Sequence, residues 1–182
     1  MTVGARSPLN GTIHLTPYDP AWPVRFAKQN SRIRDLLGET VLLLEHVGST
    51  SVAGLSAKPI IDMVLAVADS SDEATYVEPL EADGYILRIR EPDWFEHRLL
   101  KVPGIDGNLH VFSTGCLEIE RMLKFRDWLR THAEDRKLYE DAKRKLAAKT
   151  WKYTQNYADA KTGIVEEILA RAGRASDTNT GG

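Results

Sequence analysis

The first forty residues contain one helical hydrophobic pattern. Apolar residues recur at near-helical spacing from Trp22 to Leu37, and Gly38 ends the run. Asp19-Pro20 precedes the pattern and combines an N-cap side chain with a proline suited to a first helical turn. The spacing therefore predicts a helix that begins near Pro20 and ends at Gly38.

Two short, continuous apolar runs follow this helix. The first, residues 40–47, is rich in leucine and β-branched residues and precedes Gly48, which predicts a buried strand. The second, residues 60–67, is interrupted only by Asp62. Because its apolar residues would lie on both faces of a strand, the second run predicts a central strand that is covered on both sides.

The middle of the chain predicts one more helix and three more strands. Residues 72–83 form the helical segment, which Gly84 closes. Residues 85–90 alternate like a strand with one solvated face, and two further strands, 95–102 and 108–114, flank a turn that contains proline and glycine. These segments extend the sheet that the two buried runs begin.

The rest of the chain is helix-forming as far as Ala172. Breaks near His132 and at residues 149–153 divide it into three helices. The element order is then helix, two strands, helix, three strands and three helices. This order predicts an α/β (α+β) fold, in which helices flank a mixed β-sheet and the chain ends in a helical bundle.

The length of 182 residues suits a single domain. We expect this domain at residues 11–174, with its helical part at 116–173. Residues 1–10 lack periodicity and residues 175–182 are small and polar, so both ends are predicted to be flexible tails.

Composition and charge exclude several classes of function. The 24 Lys and Arg against 26 Asp and Glu give a net charge of −2, so an extended nucleic-acid partner is not expected. The single cysteine, Cys116, excludes an intramolecular disulfide and a cysteine-based zinc site. No stretch approaches the roughly 20 apolar residues of a membrane span, and the first ten residues lack the apolar region of a secretory signal. These features predict a cytoplasmic protein without a membrane partner and leave its oligomeric state open.

The turn between the two buried runs has the chemistry of a phosphate site. Gly48 lets the backbone approach a ligand, Ser49 and Thr50 supply hydroxyl groups, and successive N–H groups in such a turn can bind an anion. Asp62 interrupts an apolar strand, where an ionised carboxylate requires a partner or a metal. Phosphate donors near a metal-binding carboxylate describe a nucleoside triphosphate site. The alternative is an ordinary turn with an aspartate that caps a neighbouring loop.

Several motifs between residues 13 and 172 are similar to those of one protein family. They are Tyr18-Asp-Pro-Ala-Trp22, His46-Val-Gly-Ser-Thr50, Lys58-Pro-Ile-Ile-Asp62, Asn108-Leu-His-Val111 and Phe125-Arg-Asp-Trp-Leu129, together with Tyr139, Lys143 and Tyr157-Ala-Asp-Ala-Lys161. On these motifs the chain resembles the GrpB family, which looks like a branch of the DNA polymerase beta-type nucleotidyltransferase superfamily.

The resemblance implies a nucleotidyltransferase-like fold that transfers a nucleoside monophosphate to a hydroxyl group and releases pyrophosphate. It implies that Gly48 and Ser49 contact the triphosphate and that Asp62 binds Mg²⁺ or Mn²⁺. In that superfamily two acids, two residues apart on one strand, face the same side and hold two metals. Here Val64 occupies the second of these positions.

Two functions follow from this resemblance. The first is transfer of a nucleotidyl group from a magnesium–nucleoside triphosphate to a small hydroxylated acceptor. The second is binding of a nucleotide or phosphate by the same fold without transferase activity, which Val64 favours.

Further polar residues could complete the site. His110 lies mid-strand and is either a metal ligand, a general base or a core histidine with one backbone partner. His46 either orients Asp62 or fills the sheet. Spacing does not select among other metal ligands, which are Glu45, Glu96 and Asp106.

Basic residues beyond the turn could contact phosphates. Lys143 and Lys161 each follow a tyrosine by four residues, so each lysine shares a helix face with its tyrosine. If the helical bundle closes over the turn, these two lysines would neutralise phosphates with Arg126, and Lys58 belongs to the motif beside Asp62. The alternative places the lysines in water beside partly buried tyrosines.

Overall fold

The first helix begins and ends where its sequence signals lie. The computed structural model of the protein describes residues 1–2 and 11–179, and helix α1 spans Ala21–Leu37. Asp19 caps this helix, because its Oδ1 accepts a hydrogen bond of 2.8 Å from the backbone N–H of Ala21. Gly38 ends it with a φ of +51°. Local signals were therefore sufficient to predict α1.

One mixed sheet contains the five strands of the described residues. They are β1 (Leu43–Val47), β2 (Ile61–Val67), β3 (Ile86–Glu91), β4 (His97–Lys101) and β5 (Gly107–Ser113), and their spatial order is β1-β2-β5-β4-β3. The β2–β5 pair is parallel, and the other neighbouring pairs are antiparallel. The predicted α+β fold with a mixed sheet is confirmed, and β2 has a neighbour on each side as its apolar residues predict.

The alternation of side chains along β2 divides the protein into two layers. Its odd-numbered residues pack with α1 in the main hydrophobic core. Asp62 and Val64 lie on the opposite face, where Val64 packs with Ile119 of helix α3 (Leu117–Thr131). Asp62 therefore faces the side of the sheet that the C-terminal helices cover.

The segment predicted as one helix at 72–83 divides in two. A 3₁₀ turn spans Glu73–Thr75, and helix α2 spans Val77–Ala82. Tyr76 separates them with a φ of −142°. Its ring is fully buried and its hydroxyl donates a 2.6 Å hydrogen bond to the carbonyl of Ser70, so the burial of this side chain interrupts the helix.

The C-terminal part contains one more helix than predicted. After α3 the described residues form α4 (Ala133–Ala147), α5 (Thr154–Asp159) and α6 (Thr162–Asn179). The breaks near His132 and at 149–153 are confirmed, but a further break separates α5 from α6. Tyr157 of α5 packs in one hydrophobic cluster and Ile168 of α6 packs in another, so each of the two helices has its own core contacts.

The predicted tails are only partly described. Thr2 forms an isolated antiparallel bridge with Ile89 of β3, and residues 3–10 lie outside the described part. At the other end α6 continues to Asn179, five residues beyond the expected domain end at 174, and residues 180–182 lie outside the described part. Among the described residues no helix combines the length and the apolar character of a membrane-spanning segment.

Candidate functional site

The turn after β1 is packed against the carboxylate of Asp62. Gly48 adopts φ +71° and ψ −174°, a backbone region that is essentially restricted to glycine. A Cβ atom at this position would lie 2.9 Å from Oδ2 of Asp62, so no side chain fits here. Residues Ser49–Ser51 then form a single 3₁₀ turn. Glycine at position 48 thus brings the turn and the carboxylate together.

Thr50 ties this turn to the start of β2. Its hydroxyl donates a 3.0 Å hydrogen bond to the carbonyl of Ile60, and Nε2 of His46 lies 3.0 Å from the same oxygen. Because the hydroxyl proton is already used, His46 must donate through Nε2–H. Burial lowers the pKa of His46 to about 4, which keeps this ring neutral.

His46 therefore orients Thr50 rather than Asp62. Its ring stacks on Phe26 of α1 at a centroid distance of 4.9 Å, on the opposite face of the sheet from Asp62. Of the two predicted roles, the structure supports filling the sheet, together with a positioning contact to Thr50.

Asp62 is held by a residue to which the sequence assigned no role. The β2–β5 register pairs Asp62 with Asn108, and Nδ2 of Asn108 donates a 2.7 Å hydrogen bond to Oδ1 of Asp62. Nε2 of His110 lies 4.0 Å from the same oxygen. The side chain of Asp62 is 31% exposed, so it remains accessible to a ligand.

His110 is connected to a second histidine and a carboxylate. Its Nδ1 lies 3.1 Å from Nε2 of His97, and Nδ1 of His97 lies 2.7 Å from Oε2 of Glu91. Burial lowers the pKa of both histidines, that of His110 to about 4, so both rings are neutral. His97 then donates to Glu91 and accepts from Nδ1–H of His110, which leaves the Nε2 lone pair of His110 on the side of Asp62.

Three lysines line the cavity that contains Asp62, and two of them lie over the ring of Tyr157. Nζ of Lys58 lies 5.8 Å and Nζ of Lys161 lies 4.8 Å from the centroid of this ring. Lys143 lines the same cavity from α4. Among the described residues, no carboxylate lies within 4.0 Å of Lys58, Lys143 or Lys161.

Lys143 contacts the phosphate turn that the sequence predicted. Its Nζ donates to the hydroxyl of Ser49 at 3.2 Å and to the carbonyl of Ser56. The residue is 1% exposed, so a lysine in water beside a partly buried tyrosine does not describe it. Burial, followed by repulsion from Lys161, lowers the pKa of Lys143 to about 7.

These side chains surround one cavity of about 400 Å³ between the sheet and the C-terminal helices. Its volume is in the range of small-molecule sites. The predicted site residues that line it are Gly48, Ser49, Thr50, Lys58, Asp62, His110, Lys143 and Lys161. The fold therefore brings these widely separated parts of the chain to one place.

Arg126, which was predicted to contact phosphates, lies outside this cavity. Its Nη1 donates to Oε2 of Glu45 at 2.7 Å and to the carbonyl of His46 at 3.0 Å, and its Nε donates to Asp127 at 2.8 Å. The guanidinium is buried and connects α3 to β1. The structure assigns Arg126 a role in packing α3 on the sheet, which the spacing could not reveal.

The other residues considered as metal ligands are also engaged elsewhere. Glu45 pairs with Arg126, Glu96 with Arg98 at 3.2 Å, and Asp106 with Lys101 at 3.6 Å. None of the three acids lines the cavity. Of the four residues considered as further metal ligands, only His110 lines the cavity beside Asp62.

The described residues contain no group of three or more His, Cys, Asp or Glu side chains that could hold a metal ion. Val64, on the same face as Asp62, is 0% exposed because α3 packs over it through Ile119. The position of the superfamily's second acid is therefore part of the hydrophobic core, and Asp62 is the only carboxylate that β2 offers the cavity.

Comparison with known proteins identifies close relatives over nearly the whole chain. A family model described as GrpB protein matches residues 12–171. A UPF0157 protein of Halalkalibacterium halodurans is 59% identical over 172 residues, which cover 94% of this chain and 88% of that protein. A UPF0157 protein of Streptomyces coelicolor is 46% identical over 163 residues, or 90% of this chain and 86% of that protein. Among solved structures, the conserved protein GrpB from Enterococcus faecalis is similar with a TM-score of 0.74 and 27% identity, over 90% of this chain and 99% of that one.

Proposed function

The chain belongs to the GrpB family, and we propose that it binds a magnesium–nucleoside triphosphate in this cavity and transfers the nucleotidyl group to a small hydroxylated acceptor. The observation that supports the proposal most is the separation of charge in the cavity. Lys58, Lys143 and Lys161 line one part without acidic partners, and Asp62 lies in the same cavity beside His110.

The lysine cluster is suited to a polyphosphate because a positive charge on one member disfavours a positive charge on the others. Burial is the main cause that lowers the pKa of both Lys58 and Lys143, and the charge of Lys161 lowers both further. An anion bound among the three would replace this repulsion by attraction. The hydroxyl of Ser49, held by Lys143, adds a neutral donor at the same place.

The donors around Asp62 suit a metal that enters with the nucleotide. The described residues offer no set of three acidic, histidine or cysteine side chains arranged to hold a metal ion, so Asp62 and His110 do not form a complete metal cage by themselves. Mg²⁺ commonly takes one or two protein carboxylates and completes its shell with phosphate oxygens and water. Asp62 would therefore contact the Mg²⁺ of the incoming nucleotide, and that ion would neutralise charge on the phosphates.

In this proposal His110 is the base that accepts the proton of the acceptor hydroxyl. The His97–Glu91 pair leaves its Nε2 unprotonated on the side of Asp62. As the acceptor oxygen bonds to the α-phosphorus, its proton would pass to Nε2 and the bond to pyrophosphate would break. A neighbouring cavity of about 480 Å³ shares His110 and provides space for the acceptor, with Trp94 in its wall.

Val64 supports a second candidate, a nucleotide- or phosphate-binding protein without transferase activity. Two-metal transfer uses carboxylates that hold both ions, and here the second position on β2 is a buried valine. This alternative uses the same lysine cluster as the phosphate-binding part of the site.

Binding of the four common nucleoside triphosphates, with and without Mg²⁺, tests the proposal by titration calorimetry. Lys161→Met should weaken binding in both conditions by about tenfold or more, since a charged hydrogen bond contributes roughly 1.5–3 kcal/mol. Asp62→Asn should remove only the part of the affinity that depends on Mg²⁺. Lys145→Met is the matched control, because Lys145 is exposed on α4 outside the cavity.

Pyrophosphate release separates the two candidates. Release that requires both the nucleotide and a small hydroxylated compound supports transfer. Tight nucleotide binding without release for any class of acceptor supports the second candidate. If neither the four triphosphates nor inorganic phosphate binds to the wild-type protein, both candidates are wrong.

A further inference from the structure

Lys143 is a buried lysine without an acidic partner. It is 1% exposed, and its Nζ contacts uncharged groups: the hydroxyl of Ser49 at 3.2 Å, the carbonyl of Ser56, and the ring of Tyr139, whose centroid is 4.9 Å away. No carboxylate among the described residues lies within 4.0 Å of it. A charged ammonium in such a place loses its hydration without gaining a counter-ion, which costs several kcal/mol in proteins.

The wider surroundings also disfavour a positive charge. The titratable and charged groups that face Lys143 are Tyr139, Glu140 and Arg144 of α4, Lys58 and Asp62 across the cavity, and Tyr157 and Lys161 beside α5. Glu140 would favour the ammonium, but Arg144 already holds its carboxylate at 2.6 Å. Lys161 and Arg144 both oppose the charge of Lys143.

A neutral amine satisfies the hydrogen bonds that the structure shows. Lysine Nζ without its extra proton retains two N–H donors and gains one lone pair. These two N–H groups can donate to the carbonyl of Ser56 and to the hydroxyl of Ser49, which are the two hydrogen bonds that the structure shows. The geometry therefore does not require the ammonium form of Lys143 while the cavity holds no anion. Burial also favours the neutral amine, because it lowers the pKa of Lys143.

We propose that Lys143 is a neutral amine in the ligand-free protein above neutral pH, and that it becomes an ammonium ion when a phosphate group enters the cavity. Binding would then take up one proton from the solvent, because the phosphate supplies the negative charge that the site lacks. Lys143 would thus select ligands that bring fully ionised phosphates and would favour a triphosphate over the corresponding nucleoside. Only the identity of the ligand rests on the proposed function.

The ligand-free state is tested by following the lysine ¹³Cε signals of the wild-type protein by NMR as pH is raised. Assignment through the backbone identifies Lys143, and exposed Lys145 on the same helix is the internal control. Lys143 should titrate with a midpoint near 7, well below the ordinary lysine value of about 10.4. A midpoint for Lys143 within about one unit of that ordinary value would overturn the proposal.

The liganded state is tested by calorimetry with ATP in buffers of different ionisation enthalpy. At about pH 8 the terminal phosphate, with a pKa of about 6, is fully ionised, so any proton taken up comes to the protein. We expect the wild-type protein to take up nearly one proton per ATP bound and no proton when adenosine is added. Lys145→Met should take up the same number of protons per ATP as the wild-type protein. Lys143→Arg, which stays charged, should bind ATP without uptake.

The outcomes separate this inference from the proposed function. ATP binding to the wild-type protein without proton uptake at about pH 8 contradicts the inference and leaves the proposed function intact. At about pH 6 Lys143 is charged whether its pKa is lowered or ordinary. Absence of ATP binding even at this pH contradicts the proposed function. The NMR titration of the ligand-free protein still decides the protonation state of Lys143. If Lys143→Arg does not fold, both wild-type measurements remain decisive.

Discussion

A Cβ atom at Gly48 would lie 2.9 Å from Oδ2 of Asp62, so the turn and the carboxylate are in direct van der Waals contact. The contact connects residues 14 positions apart, at the end of β1 and the start of β2. Thr50 adds a second connection through its 3.0 Å hydrogen bond to Ile60. A substitution in the turn at Gly48 should therefore affect the position of Asp62, and a substitution at Asp62 should affect the turn.

Gly48→Ala should disrupt the site in a way that a matched glycine change does not. Gly54 also has a positive φ, +78°, but a Cβ there would meet nothing within 4 Å. Both alanine variants should lose roughly 1–3 kcal/mol of unfolding free energy in urea, because alanine is strained at positive φ. Only Gly48→Ala should also displace Asp62 and reduce Mg-ATP affinity. Equal affinities for the two variants would refute the proposed coupling of turn and carboxylate.

A second carboxylate should be tolerated at position 108 but not at position 64. Val64→Asp would place a charge in the cluster with Ile119 and should destabilise the fold by about 3 kcal/mol or more. Asn108→Asp would instead set two carboxylates side by side, where Nδ2 and Oδ1 are now 2.7 Å apart. Their repulsion lowers stability without metal and favours a divalent cation between them.

Thermal unfolding with and without MnCl₂ checks this prediction. The melting temperature of Asn108→Asp should rise with Mn²⁺ by more than that of the wild-type protein, since a ligand of the native state stabilises it. Asn108→Ala removes the amide without adding a charge and serves as the control. Equal Mn²⁺ effects on all three proteins would show that Asp62 does not face a metal-accessible space.

Glu73 should make the stability of the protein depend on acid pH. Its carboxylate pairs with Arg90 at 2.7 Å and Arg98 at 2.6 Å, and the hydrogen bond from Arg90 is the main cause that lowers its pKa from 4.5 to about 2. The native state therefore holds this proton more weakly than the unfolded chain. Its stabilisation is complete above pH 4.5 and is lost as pH falls toward 2.

Urea unfolding between about pH 6 and pH 2.5 measures this effect, which should reach about 3 kcal/mol for the wild-type protein. Glu73→Gln should be less stable near neutral pH and should lose less stability on acidification. Glu78→Gln, exposed on α2, should keep the wild-type slope. A slope for Glu73→Gln equal to that of the wild type would show that another carboxylate causes the acid sensitivity.

Elements set by local signals could be predicted from the chain alone. Helix α1 follows from the Asp19 cap and the terminal Gly38, which act within a few residues of the helix ends. The interruption at Tyr76 and the break between α5 and α6 could not be predicted in this way. Both features depend on which hydrophobic cluster a buried side chain packs in. The members of each cluster come from distant parts of the chain.

The residues that support the site were missed because their roles depend on strand register. Asn108 holds Asp62 only because β5 lies parallel to β2 with these two residues paired. Asn108 was part of a family motif, and this was the one signal that could have identified it. His97 and Glu91 had no such signal, since their contact with His110 arises between neighbouring strands β3, β4 and β5.

The sequence by itself determined the chemical groups of the site: a glycine turn with hydroxyls, one strand aspartate, and a lysine, Lys143, that shares a helix face with Tyr139. These features follow from residue type and from spacing within one element, so they can be read without knowing the fold. Lys161 lies between α5 and α6 and not on one helix with Tyr157, contrary to the prediction.

The tertiary structure decided which charged groups meet. The packing of α3 and α4 on the sheet turns Arg126 toward Glu45, buries Val64, and brings Lys143 to Ser49. Such contacts join residues about 80 to 95 positions apart, and no local rule of spacing sets which of them form.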